Sequence, residues 1–293
     1  MFSEASVIQM TIDPTILDKI FAAKRQEIAA RMLERPLAEV QAAALGALPP
    51  MDFTAALKRK EARLPALIAE IKFASPSRGI LLESGDPERL ASLYQENGAA
   101  ALSILTDEEY FKGSLEYLER VAQTSPRLPL LRKDFICHPY QVYEGRAAGA
   151  DAILLIVAEL VENQLLELHQ LINHLGMDAL VEVHTLEELQ TALRCKASLI
   201  GINNRDLHTF QVSLETTRSL RPHIPPVVCV VAESGIHTWK EASELAQLSV
   251  DAMLVGEALV TAVDIGAKVR ELTGQLRFDI EAPPTGKADR IEL

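Results

Sequence analysis

Residues 152–183, AILLIVAELVENQLLELHQLINHLGMDALVEV, run from an apolar segment through an amphipathic one into a second apolar segment. Two short strands joined this way can lie side by side in parallel, because a parallel pair needs a crossover of a dozen or more residues, usually a helix. The same alternation extends in both directions from Leu67 onward. Eight apolar runs can be marked: LIAEIKF, ALSILT, LPLLRKDF, AILLIV, ALVEV, LIGIN, VVCVVAES and DAMLVG. Their starts recur roughly every 20 to 35 residues, room for one strand and one helix each. Eight βα units predict a closed (β/α)8 barrel, the TIM-barrel architecture, and 293 residues suit a fold that takes about 250. An open doubly wound sheet is the rival, but no G-x-G-x-x-G follows the first run.

Before the barrel, residues 1–64 read as a helical extension of about three segments. Ile16, Ile20, Ile28 and Met32 stand at helical spacing, and the pattern breaks at RPLAE and LPPMD. The barrel is expected over 65–273. Residues 274–293 lack apolar periodicity and read as a surface or disordered tail.

Composition narrows the function classes. Hydrophobic residues make up 48% and aromatics only 5%, so the core must be mostly aliphatic, as where helices cover a parallel sheet. A net charge of -12 argues against nucleic acid, which calls for a basic face; a small anionic ligand needs only a local basic pocket. Cys137, Cys195 and Cys229 are few, odd in number and widely separated, which fits neither a disulfide framework nor a zinc knuckle. With no basic n-region ahead of an apolar core, and no apolar run of the roughly 18 residues that span a bilayer, the chain is expected to be cytoplasmic and off the membrane. No cofactor motif appears, and His169 and His174 are poorly spaced for a shared metal.

A barrel active site lies at the carboxyl ends of the strands. Strand alternation puts Glu70 and Lys72 on one face of the first run. Lys133 shares a face with Leu131, whereas Arg132 and Asp134 take the other face, toward surrounding loops or helices. Glu182 follows Leu180, and Asn203 and Arg205 continue the face of Gly201. Lysines and carboxylates gathered in a low-dielectric mouth can be tuned toward proton transfer at neutral pH. Gly235 and Gly256 follow the seventh and eighth runs, where many barrels cradle phosphate, and Ser234 suits a phosphate hydroxyl donor. A phosphorylated small molecule is the expected partner.

Taken together, AEIKFASPSRG (Ala69 to Gly79), LRKDFI (Leu131 to Ile136), EGRAAGADAILLI (Glu144 to Ile156), LVEVH (Leu180 to His184), GINNRDL (Gly201 to Leu207), AESGI (Ala232 to Ile236) and VGEAL (Val255 to Leu259) resemble the indole-3-glycerol phosphate synthases of tryptophan biosynthesis. The resemblance implies ring closure, decarboxylation and dehydration of 1-(2-carboxyphenylamino)-1-deoxyribulose 5-phosphate, without metal or cofactor. It implies Lys133 as general acid, Glu182 as acid/base partner in dehydration, and Lys72 as holder of the substrate carboxylate or later proton donor, with Glu70 beside it. Ser75, Phe135, Asn203, Arg205 and Glu233 match substrate-contacting positions; Ser234, Gly235, Gly256 and Glu257 match a phosphate cradle. At Glu257 the carboxylate must point away from phosphate and offer only its N–H. Other readings are another phosphate-binding barrel enzyme, such as phosphoribosylanthranilate isomerase, or a non-catalytic phospholigand-binding barrel. A monomer or weak homo-oligomer is expected.

Overall fold

A computed structural model of the chain describes residues 15–58, 64–75, 78–82, 85–206 and 209–275. Eight strands form one closed barrel: β1 (Ala66–Ile71), β2 (Ala101–Leu105), β3 (Leu130–Lys133), β4 (Ala152–Ile156), β5 (Asp178–Val183), β6 (Leu199–Asn203), β7 (Cys229–Glu233) and β8 (Ala252–Val255). Each pairs in parallel with its neighbours in chain order, and β1 closes on β8 through Ala66↔Ala252 to Ala69↔Val255. Nearly every strand residue is buried, because helices pack outside and side chains fill the inside. That explains why the strands read as continuous apolar runs and not as alternating ones.

Helices fill the crossovers. After the strands in turn come α4 (Pro87–Glu96), α5 (Leu115–Ala122), α6 (Pro139–Ala147), α7 (Glu162–His174), α8 (Leu186–Arg194), α9 (Glu215–Leu220), α10 (Trp239–Gln247) and, after β8, the short α11 (Glu257–Val260) followed by α12 (Ile265–Leu272). Local chemistry starts several of them: Ser114, His138, Thr185 and Thr238 each accept a backbone N–H as N-cap. Thr185 stands two residues after the end of β5, so that strand's end is held close to a fixed helix start.

Three helices precede the barrel: α1 (Ile16–Glu34), α2 (Leu37–Gly46) and α3 (Phe53–Leu57). Thr15 and Asp18 form a capping box at the start of α1. Phe21, Val40, Phe53 and Leu57 are fully buried and belong to the same core as the barrel strands, so the extension is packed against the barrel. Of the expected tail, residues 276–293 lie outside the described residues, as do 1–14 of the extension. The three cysteines are free and buried.

An ion network ties α1 to the barrel. Lys24, only 2% exposed, meets Asp107 at 3.0 Å, Asp134 at 3.1 Å and Glu27 at 2.8 Å. Asp134 also pairs with Arg132 at 3.0 Å, and Arg132 reaches Glu144 of α6 at 3.3 Å and the Gln141 carbonyl at 2.7 Å. Arg132 and Asp134 therefore do point away from the barrel axis, but into a buried layer and not into water. The cationic neighbours hold Asp134 well below the usual carboxylate range against the opposing effect of burial.

Candidate active site

The strand that carries this network also delivers Lys133. As the last residue of β3, and on the opposite side from Arg132, Lys133 enters the barrel mouth with its Nζ 3.6 Å from Glu182 Oε2 and 3.5 Å from Glu233 Oε2. Its neighbour Asp134 accepts the Phe135 N–H at 2.8 Å and the Thr106 hydroxyl at 2.5 Å. The backbone on which Lys133 stands is thus clamped from the outside while its ammonium points into the cavity.

Glu182 is the next-to-last residue of β5 and Glu233 ends β7, and both are essentially inaccessible to solvent. Room for Glu233 comes from β6: a Cβ on Gly201 would lie 2.2 Å from Glu233 Oε1. The two carboxyls share one ammonium but have unequal surroundings. Asn203 Nδ2 donates to Glu182 Oε1 at 3.2 Å, and His184 Nε2 lies 3.5 Å from the same oxygen. Glu233 has neither.

Burial pushes the Glu233 carboxyl up, Glu182 pushes it further and Lys133 only partly offsets them, to about 8. Burial also opposes the charge of Glu182, but Lys133, His184 and the Asn203 amide outweigh it and hold that carboxyl low. For Lys133, burial is outweighed by Glu233, Glu182 and Glu70, which raise it above the ordinary lysine value. Near neutral pH the trio of Lys133, Glu182 and Glu233 therefore favours an ammonium, one carboxylate and one neutral carboxylic acid.

This ionisation has a measurable signature. A folded-state value of about 8 against an ordinary 4.5 means that the folded chain binds more protons than the unfolded chain between those limits. The contribution is fully present below about pH 4.5 and lost as pH rises toward about 8. Glu233→Gln stays neutral throughout, so its melting temperature is expected to gain on wild type at about pH 8.5 and not at about pH 5. An equal difference at both would contradict a protonated Glu233.

At the β1 end, Lys72 Nζ meets Glu70 Oε2 at 2.7 Å. Gly256, directly after β8, is required for this: a Cβ there would sit 2.1 Å from the same Glu70 oxygen. After β7, Ser234 and Gly235 take left-handed backbone angles (φ 66 and 77), and Ser234 Oγ donates to Asn203 Oδ1 at 2.9 Å. Glu257 opens α11, and its carboxylate is drawn to Arg78, 3.0 Å away in the loop after β1. Both residues line the cavity at the barrel mouth, and the first N–H groups of α11 have no acceptor within the helix.

One cavity of about 320 Å³ joins these features, and every residue expected from the sequence to act in the site lines it. Arg205 is among them, although its backbone N–H goes to Asn203 Oδ1 at 3.0 Å and its guanidinium toward the Phe210 carbonyl. Phe135 packs edge-on to Phe21 of α1, ring centroids 5.6 Å apart. Several contributors were not singled out in the sequence: Ile16 and Ile20 of α1, Phe111, Leu254 and Arg78 also line the cavity, and His184 backs Glu182. The stripe of isoleucines on α1 was visible, but nothing local says that it closes over a barrel mouth. Among the described residues no cluster of side chains is arranged to hold a metal ion.

Comparison with known proteins bears on what this cavity serves. Residues 17–272 match the family model of indole-3-glycerol phosphate synthase. The indole-3-glycerol phosphate synthase of Dehalococcoides mccartyi (strain CBDB1) is 51% identical over 260 residues, covering 88% of this chain and 99% of the relative. That of Roseiflexus sp. (strain RS-1) is 51% identical over 267 residues, covering 89% and 98%. Among solved structures, 3-hexulose-6-phosphate synthase from Salmonella typhimurium superposes with a TM-score of 0.58 at 10% identity over 71% of this chain and 97% of that one, a likeness of fold alone.

Proposed function

This chain belongs to the indole-3-glycerol phosphate synthase family, and we propose that the mouth of its barrel performs that reaction with Lys133, Glu182 and Lys72 as its proton-handling groups. The enzyme is a lyase of tryptophan biosynthesis: it closes the ring of 1-(2-carboxyphenylamino)-1-deoxyribulose 5-phosphate and releases CO2 and water. The observation that carries the residue assignment is the meeting, in one cavity, of an ammonium with two carboxyls of unequal ionisation.

The substrate's phosphate is placed at the β7 and β8 ends, against the Ser234 hydroxyl and the backbone N–H groups of Gly235, Gly256 and Glu257. Its aromatic ring then extends toward the apolar wall formed by Ile16, Ile20 and Phe135, and its ketone toward Lys133. The ring carbon that bears the carboxylate attacks the ketone carbon. As the new C–C bond forms, negative charge grows on the ketone oxygen, and the Lys133 ammonium neutralises it by proton transfer. A developing alkoxide is a far stronger base than an amine, so a lysine with a raised pKa still gives up its proton there, and it stands in donor form at every working pH.

The cation left on the ring nitrogen accepts the electrons of the breaking C–CO2 bond, so CO2 departs and the aromatic ring is restored. Dehydration then needs a base for the proton on the carbon next to nitrogen and an acid for the leaving hydroxyl. Glu182, held ionised, supplies the first. Lys72, paired with Glu70 on the β1 side, supplies the second or first anchors the substrate carboxylate. Asn203 orients Glu182, and Arg205, Ser75 and Phe135 shape the remaining wall. The reducing, cytoplasmic setting expected from the sequence is part of the same proposal and is supported by the three free, buried cysteines.

The activity is tested by giving the purified chain the ribulose phosphate substrate in the presence of a chelator and following indole fluorescence. Steady product formation is expected. Absence of product from folded protein would overturn the reading.

A further inference from the structure

His184 stands directly after β5, at the point where the chain turns into α8, and its ring lies between two carboxylates. Nε2 is 3.5 Å from Glu182 Oε1 and Nδ1 is 3.2 Å from Glu188 Oε2. Glu188 lies in the first turn of α8, and the same Oε2 accepts the His184 backbone N–H at 2.7 Å, which fixes the ring from behind. Nε2 itself is buried and makes no hydrogen bond, and the carboxylate within ion-pair distance of it is Glu182. A neutral imidazole would have to turn a lone pair toward one of the two carboxylates, whereas the doubly protonated ring turns an N–H toward each.

We propose that His184, as an imidazolium held by Glu188, decides which of the two mouth glutamates is the base: it keeps Glu182 ionised and leaves the shared proton on Glu233. The charged groups that face it are Glu182 on its own strand, Glu188 on α8 and, farther off, Glu233 on β7. All three are acidic. Burial alone would discharge the ring, but the hydrogen bond it donates to Glu188 and the charges of Glu182, Glu188 and Glu233 outweigh burial and raise its pKa. In turn the ring's charge is, after burial and Lys133, the next largest influence on Glu182. Lys133 touches both carboxyls at nearly the same distance and does little to tell them apart; Asn203 and His184 touch only Glu182. His184 meets no part of the cavity itself and acts through Glu182, as a positioning residue.

The inference rests on Glu182 being the base of the dehydration, and the two are separable by experiment. The full chain is assayed with saturating substrate across pH as wild type, His184→Gln, Glu188→Gln and Glu182→Gln. Wild-type turnover falls at acid pH as Glu182 takes up a proton. Without the imidazolium, Glu182 gains that proton more readily, so the acidic limb of kcat is expected to move up by ~1–2 pH units in His184→Gln. Glu188→Gln, which keeps an acceptor for the His184 N–H but removes the counter-charge, is expected to move it in the same direction by less. A uniformly lower kcat with an unmoved limb is the mark of a merely structural histidine and overturns the proposal. If His184→Gln does not fold, the limb of Glu188→Gln decides alone. Wild-type turnover by Glu182→Gln would instead remove the assignment of Glu182 as base, a result that the pH limbs of the other two variants do not mimic.

Discussion

Replacing Lys133 by alanine is expected to lower kcat by roughly 10²- to 10⁴-fold, the range over which a positioned acid or base contributes, with a smaller change in KM. The asymmetry follows from where charge appears: the ketone oxygen is neutral in the bound substrate and becomes an alkoxide only as the ring closes, so the ammonium's interaction is spent mainly in the transition state. The same substitution removes the one ammonium that, among the described residues, lies within salt-bridge distance of both Glu182 and Glu233. Both carboxyls then resist ionisation in the folded state, and stability falls as pH rises through their elevated values. A folded Lys133→Ala enzyme should therefore lose more melting temperature in mildly alkaline than in mildly acidic buffer. Near wild-type kcat in that variant would remove Lys133 from the chemistry.

The second large effect lies outside the cavity. Lys24→Met should fit the space of the lysine stem but leaves Asp107 and Asp134 buried without their shared ammonium. Breaking a buried pair from one side costs about 3–5 kcal/mol, which for a chain of this size lowers the melting temperature by on the order of 10 °C. Activity should fall as well, because α1 supplies Ile16 and Ile20 to the cavity wall and Lys24 anchors that helix to the residue after Lys133. Thermal unfolding by calorimetry checks the first expectation. A variant that melts with wild type would mean that apolar packing alone seats α1.

The two residues also show how far the sequence could be read. Lys133 was separable from Arg132 and Asp134 because strand alternation is strict, and the structure does send them to opposite sides. The barrel was legible for the same reason: strands covered on both faces leave continuous apolar runs, and parallel pairing forces a helix between each. Lys24 carries a signal in the sequence, but its partners do not. It occupies the vacant place in the stripe Ile16, Ile20, Ile28, Met32, a charge where the helical period demands an apolar residue. Its acidic partners Asp107 and Asp134 are more than eighty residues away in sequence, and no local pattern connects them.

Distance along the chain accounts for the remaining gaps. The pairing of Arg78 with Glu257 joins the loop after the first strand to the helix after the last, and only closure of the barrel makes them neighbours. The sequence could say that the Glu257 carboxylate had to avoid phosphate, but not what would receive it. His184 looked like the end of a strand motif; its meaning depends on α8 turning Glu188 back to meet it. The unequal ionisation of Glu182 and Glu233 likewise depends on which of them Asn203 and His184 touch, a matter of angstroms that residue type does not encode.

The assignment of roles is tested most directly by a crystal structure with a substrate analogue whose ketone has been reduced to an alcohol, so that it binds and cannot cyclise. In that complex the alcohol oxygen is expected within hydrogen-bond distance of Lys133 Nζ, the aromatic ring against Ile16, Ile20 and Phe135, and the phosphate on Ser234 and the N–H groups of Gly235 and Gly256. An analogue bound in the reverse sense, or with its alcohol on Lys72 and Lys133 unengaged, would contradict that assignment.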